Sequence, residues 1–378
     1  MNSDFLLYIL VISIFNTALS PIISGMRLLD EFLVVLIFAY AFNRRDFLLS
    51  REVKFCIGVF IFYLIYSLAM AVNVKEATIR DFFICSKPFI CFYAAQYYGM
   101  DFSKSAIKRC RRIVKMMGVC LWIMAPFISQ LYYNTASYYP ACAYTGILYI
   151  LLSDFRKKDW IIATLILTPG LLSIRAKFFA EFVIWLFLVF FLKKRLKFNI
   201  SFIIIGCILC YIIYRINYDK IMMYTVNGID EGAARTYMYL TSIKVFEDYF
   251  PLGPGFGTFG TDSAAKYYSP LNYHYDLNNI WGLNPDDIVG TSFYSDTFYP
   301  LLAQFGVVGL VLFFLFLKRR WVKGRNLGNA NMYKLFIFIF VYVLIQCIAE
   351  NTFTGANGLP PMLMLGFVLS NRKPLSNR

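Results

Sequence analysis

Histidine is almost absent from this chain: His274 stands alone among 378 residues. With one histidine and no nucleophile elbow, a Ser-His-Asp or Cys-His set has nothing to build on. Zinc sites that need paired histidines are excluded for the same reason. Acidic residues are scarce as well, 22 against 37 Lys and Arg, for a formal charge of +15. The adjacent pair Asp286–Asp287 has no second acidic cluster to complete a metal site, so no metal or other cofactor is expected. Cysteine is missing from 217–296, and all nine cysteines fall within or beside apolar segments. Cys207 and Cys210 have C-x-x-C spacing but no second pair, so they read as small core hydrophobes. An internal repeat is also lacking, which argues against a transporter built from two similar halves. The first residues carry no basic region and no cleavage site, so 5–23 is expected to remain as a first span.

Apolar residues, by contrast, make up 59% of the chain, and mean hydropathy is +0.60. A spanning helix takes roughly 20 mainly apolar residues, because only helices and closed barrels satisfy every backbone group in lipid. Apolar runs recur at 5–23, 27–42, 53–72, 78–99, 113–133, 138–153, 159–174, 176–192, 198–215, 295–317, 333–350 and 357–371. They are too continuous for the alternating strands of a barrel. Several are short for a full crossing, so the expectation is an all-α polytopic integral membrane protein with about 10–12 transmembrane helices. It divides into transmembrane helices over 1–216, a long loop over 217–294, and further helices with a tail over 295–378.

Most basic residues lie in every second connection: Arg44 to Lys54, Lys104 to Lys115, Arg156 to Lys158, Lys193 to Lys197, Lys318 to Lys334, and the end of the chain. The positive-inside rule places those connections, and both termini, in the cytoplasm. The net charge is then a topology signal, and no nucleic-acid partner is needed to explain it. The long polar interval Asn217–Asp296 faces outward. It holds His274, nine acidic residues before Asp296, and the run PLGPGFGTFG. Within it, Glu231–Phe250 reads as an amphipathic helix whose apolar face is Ala233, Tyr237, Leu240, Ile243, Phe246 and Phe250. Pro251 and the following glycines end it. Gly255, Gly257 and Gly260 match G-x-G-x-x-G, but a helix precedes them where a nucleotide fingerprint needs a strand, so a tight reversal is the better account.

Charges inside apolar segments cost roughly 2.5–3.5 kcal/mol each at a helix centre, which makes them informative. Arg80 and Lys87 lie two turns apart on one helical face. Arg175 and Lys177 sit where two segments meet on the outer side, with Glu181 one turn beyond Lys177. Snorkelling explains Arg80 without a ligand, and an ion pair explains Lys177 with Glu181. Arg235, however, falls in the first turn of the loop helix, where the dipole disfavours a cation. Several outward cations together suggest an anionic ligand. Tyrosines crowd the loop, and their flat amphipathic rings suit sugar faces as well as the membrane interface.

The stretches LLSIRAKFFAEF (171–182), ARTYMYLTSIKVFEDYFPLGPGFGTFG in the loop, and SDTFYPLLAQFGVVGLVLFF (295–314) together resemble the Wzy-type O-antigen and capsule polysaccharide polymerases, which share their layout with the O-antigen ligases. The resemblance implies a GT-C-like fold in the bacterial inner membrane and a metal-independent glycosyltransferase at its outer face. The donor would be a growing glycan on undecaprenyl diphosphate, the acceptor a lipid-linked repeat unit. Membrane lipid and a chain-length regulator protein are the other implied partners. Arg175 matches the outer-turn arginine of the family and Arg235 the arginine opening the loop helix. Where many members, ligases above all, carry His-Asn, this chain has Ser295–Asp296, which leaves the general base open and counts against a ligase.

Physical chemistry agrees with that assignment. A diphosphate leaving group gathers negative charge, and two arginines stabilise it bidentately without a metal. Asp296 and His274 compete for the role of base. Imidazole has the better intrinsic pKa, whereas Asp296 has the better position, at a water–lipid boundary where desolvation raises its pKa. Arg80, Lys87, Lys177, Tyr237 and Tyr294 are candidate substrate contacts, with Arg80 and Lys87 expected at the phosphate end of a lipid groove.

Overall fold

The computed structural model describes residues 3–20, 22–23, 29–43, 45–127, 137–192 and 232–370, with isolated positions between 211 and 228. Among the described residues every regular element is helical. The helices are α1 (Asp4–Leu19), α2 (Leu29–Phe42), α3 (Arg45–Leu49), α4 (Arg51–Met70), α5 (Lys75–Tyr98), α6 (Lys104–Met124), α7 (Tyr138–Leu151), α8 (Lys157–Leu167) and α9 (Ala176–Leu186). After 232 come α10 (Ala234–Asp248), α11 (Asp262–Lys266), α12 (Pro270–His274), α13 (Gly306–Arg325), α14 (Ala330–Ala349) and α15 (Leu359–Val368). Each expected apolar segment carries a helix except 198–215, which lies almost wholly outside the described residues.

Among the described residues three helices are long and apolar enough to cross a bilayer: α4, the continuous stretch Tyr299–Arg325 that contains α13, and α14. Their outward faces are apolar. Phe55, Ile61, Phe62 and Ile65 of α4 and Val311 and Phe314 of α13 are exposed, a surface that suits hydrocarbon and not water. In the middle of the bundle lies α7, in which every residue is buried. Its tyrosines carry hydroxyls that must find partners away from water. Tyr138 donates to the Leu121 carbonyl at 2.6 Å and Tyr144 to that of Asn357 at 2.7 Å. Small residues set the close approaches: a Cβ at Gly366 of α15 would stand 2.8 Å from Cβ of Ala95 on α5.

Two cations within the bundle are paired with carboxylates. Arg320 is 2% exposed and donates to Glu52 at 2.8 Å, with its guanidinium over the rings of Phe92 and Phe316. Lys87 reaches Asp30 at 3.2 Å and Glu31 at 3.4 Å on α2.

The segment after 232 folds onto the bundle around a small core of its own, which includes Met238, Val245, Phe259, Leu277, Leu283 and Tyr294. Its glycine run is pinned to α4, α5 and the α4–α5 connection. Tyr66 donates to the Gly253 carbonyl at 2.9 Å and Asn73 to that of Gly257 at 2.6 Å. The Phe256 amide donates to Ser67 Oγ and the Gly257 amide to Asp81 Oδ2, both at 2.8 Å. Gly257 has φ +73°, and a Cβ there would sit 2.7 Å from the Ala77 carbonyl oxygen. The G-x-G-x-x-G spacing therefore records a backbone pressed against a helix end, as a tight reversal requires.

Two expectations need correction. The basic run 104–115, taken as a connection, is helical: α6 starts at Lys104, where Ser103 caps it by accepting from the Ala106 amide. The expected apolar face of α10 is also only partly buried: Ala233 is buried and Tyr237 and Phe246 are half-buried, but the other three are not. Ala234, Met238, Thr241, Ser242 and Val245 are buried, whereas Leu240, Ile243 and Phe250 are exposed. Small side chains let α10 lie close against Tyr299–Phe305, and the bulky apolar residues are left facing away.

Candidate functional site

The site begins at a strained turn. Pro169 opens the 3-10 segment Thr168–Ser173, which ends at Ile174 in the left-handed region with φ 53°. A β-branched residue rarely accepts that conformation, and 77% of Ile174 is exposed, so apolar burial does not reward it there. The turn reverses the chain so that Arg175 becomes the N-cap of α9, its carbonyl accepting from the Phe178 amide at 2.9 Å. Lys177 follows in the first turn.

Lys177 Nζ lies 2.5 Å from Glu350 Oε1, both side chains about one-seventh exposed, and sits over the Tyr139 ring at 5.6 Å. The i,i+4 ion pair expected between Lys177 and Glu181 does not form. The buried Glu181 instead accepts from Gln346 Nε2 at 2.6 Å, and its other oxygen has no hydrogen-bond partner among the described residues. The Tyr139 hydroxyl lies 2.6 Å from Glu350 Oε1 and 2.9 Å from Gln346 Oε1, with one proton to serve both. Glu350, which ends α14, was not singled out in the sequence. A carboxylate directly after a twenty-residue apolar helix was the signal that pointed to it.

Beside this pair stands a second. Arg235 Nε donates to Asp296 Oδ2 at 2.8 Å, and its terminal amine closes on the same oxygen. Each of the two side chains is about a quarter exposed. Burial pushes the Asp296 carboxyl above its ordinary range while the Arg235 guanidinium pulls the other way; Glu350 and Lys177 also act on it, which places the two pairs in one electrostatic neighbourhood. Helix α10 is held over the end of α14 by Tyr239, whose hydroxyl donates to the Ile348 carbonyl at 2.9 Å. The Phe298 amide donates to the Cys347 carbonyl at 3.2 Å, fixing the stretch that carries Asp296.

The structure thus brings Arg235, Asp296 and Lys177 together and adds Glu350. His274 lies elsewhere. It is exposed at the end of α12, against Tyr275, whose hydroxyl donates to Asp248 at the far end of α10. Arg235 and Asp248 are separated by most of that helix, roughly 20 Å at 1.5 Å per residue. Tyr294 is fully buried in the loop core, hydrogen-bonded to Asn272 and packed on Phe259, so it presents nothing to a substrate. Tyr237, half-buried, packs against the same core two residues from Arg235. Arg80 donates to Asp262 of α11 at 2.6 Å and Lys87 faces α2, so neither lines the apolar groove described next. Each already has a carboxylate, the cheapest way to keep a cation near lipid.

Between α4, α5 and α13 runs a groove of about 160 Å³ walled by aromatic rings, among them Phe60, Tyr63, Phe89, Phe256, Phe305 and Phe316. Arg319, Arg320, Phe298 and Thr354 also line it. Phe298 follows Asp296 by two residues in the chain and Thr354 follows Glu350 by four. From Gly309 to Arg320 it follows roughly 16 Å of helix, about half the thickness of a hydrocarbon core. Comparison of the chain with protein-family models, curated proteins and solved structures finds no match.

Proposed function

We propose that this protein is a polysaccharide polymerase, of O-antigen or capsule, in the bacterial inner membrane. It transfers a growing glycan from undecaprenyl diphosphate to a lipid-linked repeat unit at the outer face. The observation that carries the reading is the meeting of Lys177, Arg235, Asp296 and Glu350 in a chain that also holds an aromatic groove, two of whose walls, α4 and α13, are long and apolar enough to span. The sequence resemblance through 171–182, the loop and 295–314 points the same way. In this reading the chain crosses the bilayer about 10–12 times, with both termini cytoplasmic and 217–294 outside.

The chemistry follows from the charges. The isoprenoid chain lies in the groove and its diphosphate rests among the cations. Arg235 exchanges Asp296 for a phosphate oxygen, and Arg175, at the neighbouring turn, takes a second. Released from its partner, the Asp296 carboxylate accepts the proton of the attacking sugar hydroxyl. That oxygen bonds to the anomeric carbon as the bond to the diphosphate breaks, and the leaving electrons settle on phosphate oxygens held by the guanidinium groups. Substrate binding and activation of the base are then one event.

The test is reconstitution of the full chain with lipid-linked repeat units, read as a ladder of polymer lengths. Ladder formation by the wild type and its loss in Arg235→Ala support the reading. A single transfer to a lipid A core, with no ladder, would mark a ligase of the same layout. Movement of the lipid-linked unit across vesicles without bond formation would replace both with a transporter.

A further inference from the structure

A second charged site lies away from the outer cluster. A cavity of about 590 Å³ opens between the first turns of α6 and the α7–α8 connection, lined by Lys104, Lys108, Arg111, Arg112, Lys115 and Asp154. Two of these have carboxylate or guanidinium partners: Arg111 donates to Asp159 at 2.9 Å, and Asp154 lies 3.4 Å from the Arg156 guanidinium. Lys104, Lys108, Arg112 and Lys115 have no carboxylate partner among the described residues. Like charges one turn apart repel, and this helix repeats the arrangement at 104–108, 108–112 and 111–115. The positive-inside rule asks only that cations stay on one side; it does not ask that they wall a cavity.

The rest of α6 says what kind of anion fits. Lys108, Lys115 and Trp122 are each two turns apart, so the cationic and the apolar stretches share one face. On that face Val119, Trp122 and Ile123 are exposed. A phosphate among cations followed at once by an open apolar strip matches a molecule with an anionic head and a hydrocarbon chain. We infer that α6 binds an anionic phospholipid, its phosphate in the cavity walled by Lys108, Arg112 and Lys115 and an acyl chain along Val119 and Ile123. The occupant is a lipid of the surrounding leaflet, distinct from the substrate proposed for the outer cluster.

Native mass spectrometry of the delipidated full-length protein in detergent tests this without reference to turnover. Phosphatidylglycerol and phosphatidylcholine of the same acyl chains are supplied in equal amounts. The expected result is retention of phosphatidylglycerol over phosphatidylcholine by on the order of tenfold or more, since each cation near a lipid phosphate contributes separately. The preference is lost in the triple variant Lys108→Gln, Arg112→Gln, Lys115→Gln. Arg109→Gln, exposed but off the shared face, keeps it within about twofold, and unchanged melting of both variants shows that folding is not the cause. Equal retention of the two lipids, or an unaltered preference in the triple variant, overturns the inference. Competition by glycerol phosphate as strong as that by the intact lipid also overturns it, because the site then holds a small anion and the apolar strip plays no part.

Discussion

At the scale of single residues, the pairing of Arg235 with Asp296 makes separable predictions. Lysine keeps the charge but not the planar fork, so Arg235→Lys and Arg175→Lys should each lower polymerisation by at least about tenfold. A lysine variant at either position that builds full-length polymer would reduce that arginine to a structural part. For the base, Asp296→Asn and His274→Gln are compared over pH. Because burial raises the Asp296 carboxyl above its ordinary 3.8, the acid limb of kcat/KM should lie above that value in the wild type and vanish in Asp296→Asn. The linked effect on stability runs in the same window with a definite sign. The folded state holds the Asp296 proton more tightly, so stability from this group is full below 3.8 and declines as pH rises through the raised value. His274→Gln, at the end of α12 and near the far end of α10, should change neither profile; a collapse of turnover in that variant alone would transfer the role to the histidine.

Much of this was legible residue by residue, and little of it as a constellation. Arg175, Arg235 and Asp296 each violated a local expectation: a cation at a segment boundary, a cation at a helix N-terminus, a carboxylate opening an apolar run. Glu350 closes the apolar run 333–350, a weaker signal, and its meaning appears only when the close of α14 comes beside the start of α9. Lys177 was assigned to Glu181 because i,i+4 spacing is the only distance a sequence offers, whereas the bundle supplies a better placed carboxylate.

At the scale of elements, apolar length found α4, α13 and α14, and hydropathy misjudged α10. That helix packs through Met238 and Val245 together with Ala234, Thr241 and Ser242, small side chains that permit close approach. The glycine run is the element most open to test. Gly257→Ala meets both a left-handed φ, costing roughly 1–2 kcal/mol for an L residue, and the Ala77 carbonyl at 2.7 Å. Gly290→Ala meets only the first, with φ +53° and open space around it. Thermal melting should therefore fall clearly further for Gly257→Ala than for Gly290→Ala; equal shifts would mean that the loop is not held against α5 as described.

For the whole molecule the prediction is topological. The cavity-lining turns of α6 and the loop 217–294 should lie on opposite sides of the membrane. Cysteines introduced at 104–115 and at exposed loop positions such as Tyr273 or Trp281, in a Cys120→Ser background, report this with an impermeant thiol reagent on intact cells. Loop labelling with silence at 104–115 is expected, and the reverse would invert the orientation and remove the outward-facing site.

The fastening of the long loop at two places has a consequence for traffic. One end is tied through α10 to the close of α14, and the glycine run is tied to α4 and α5. Of these helices α4 and α5 wall the aromatic groove and α14 does not, so α10 and the turn after it behave as a bridge between them and not as a hinged flap. A bridge cannot swing aside to discharge a product. In the proposed reaction a lipid-borne chain would pass under it sideways, from the bilayer, and a lengthening glycan would thread outward while its carrier stayed in the groove. Opening the structure to release polymer would mean breaking the glycine contacts themselves, the same contacts that Gly257→Ala weakens.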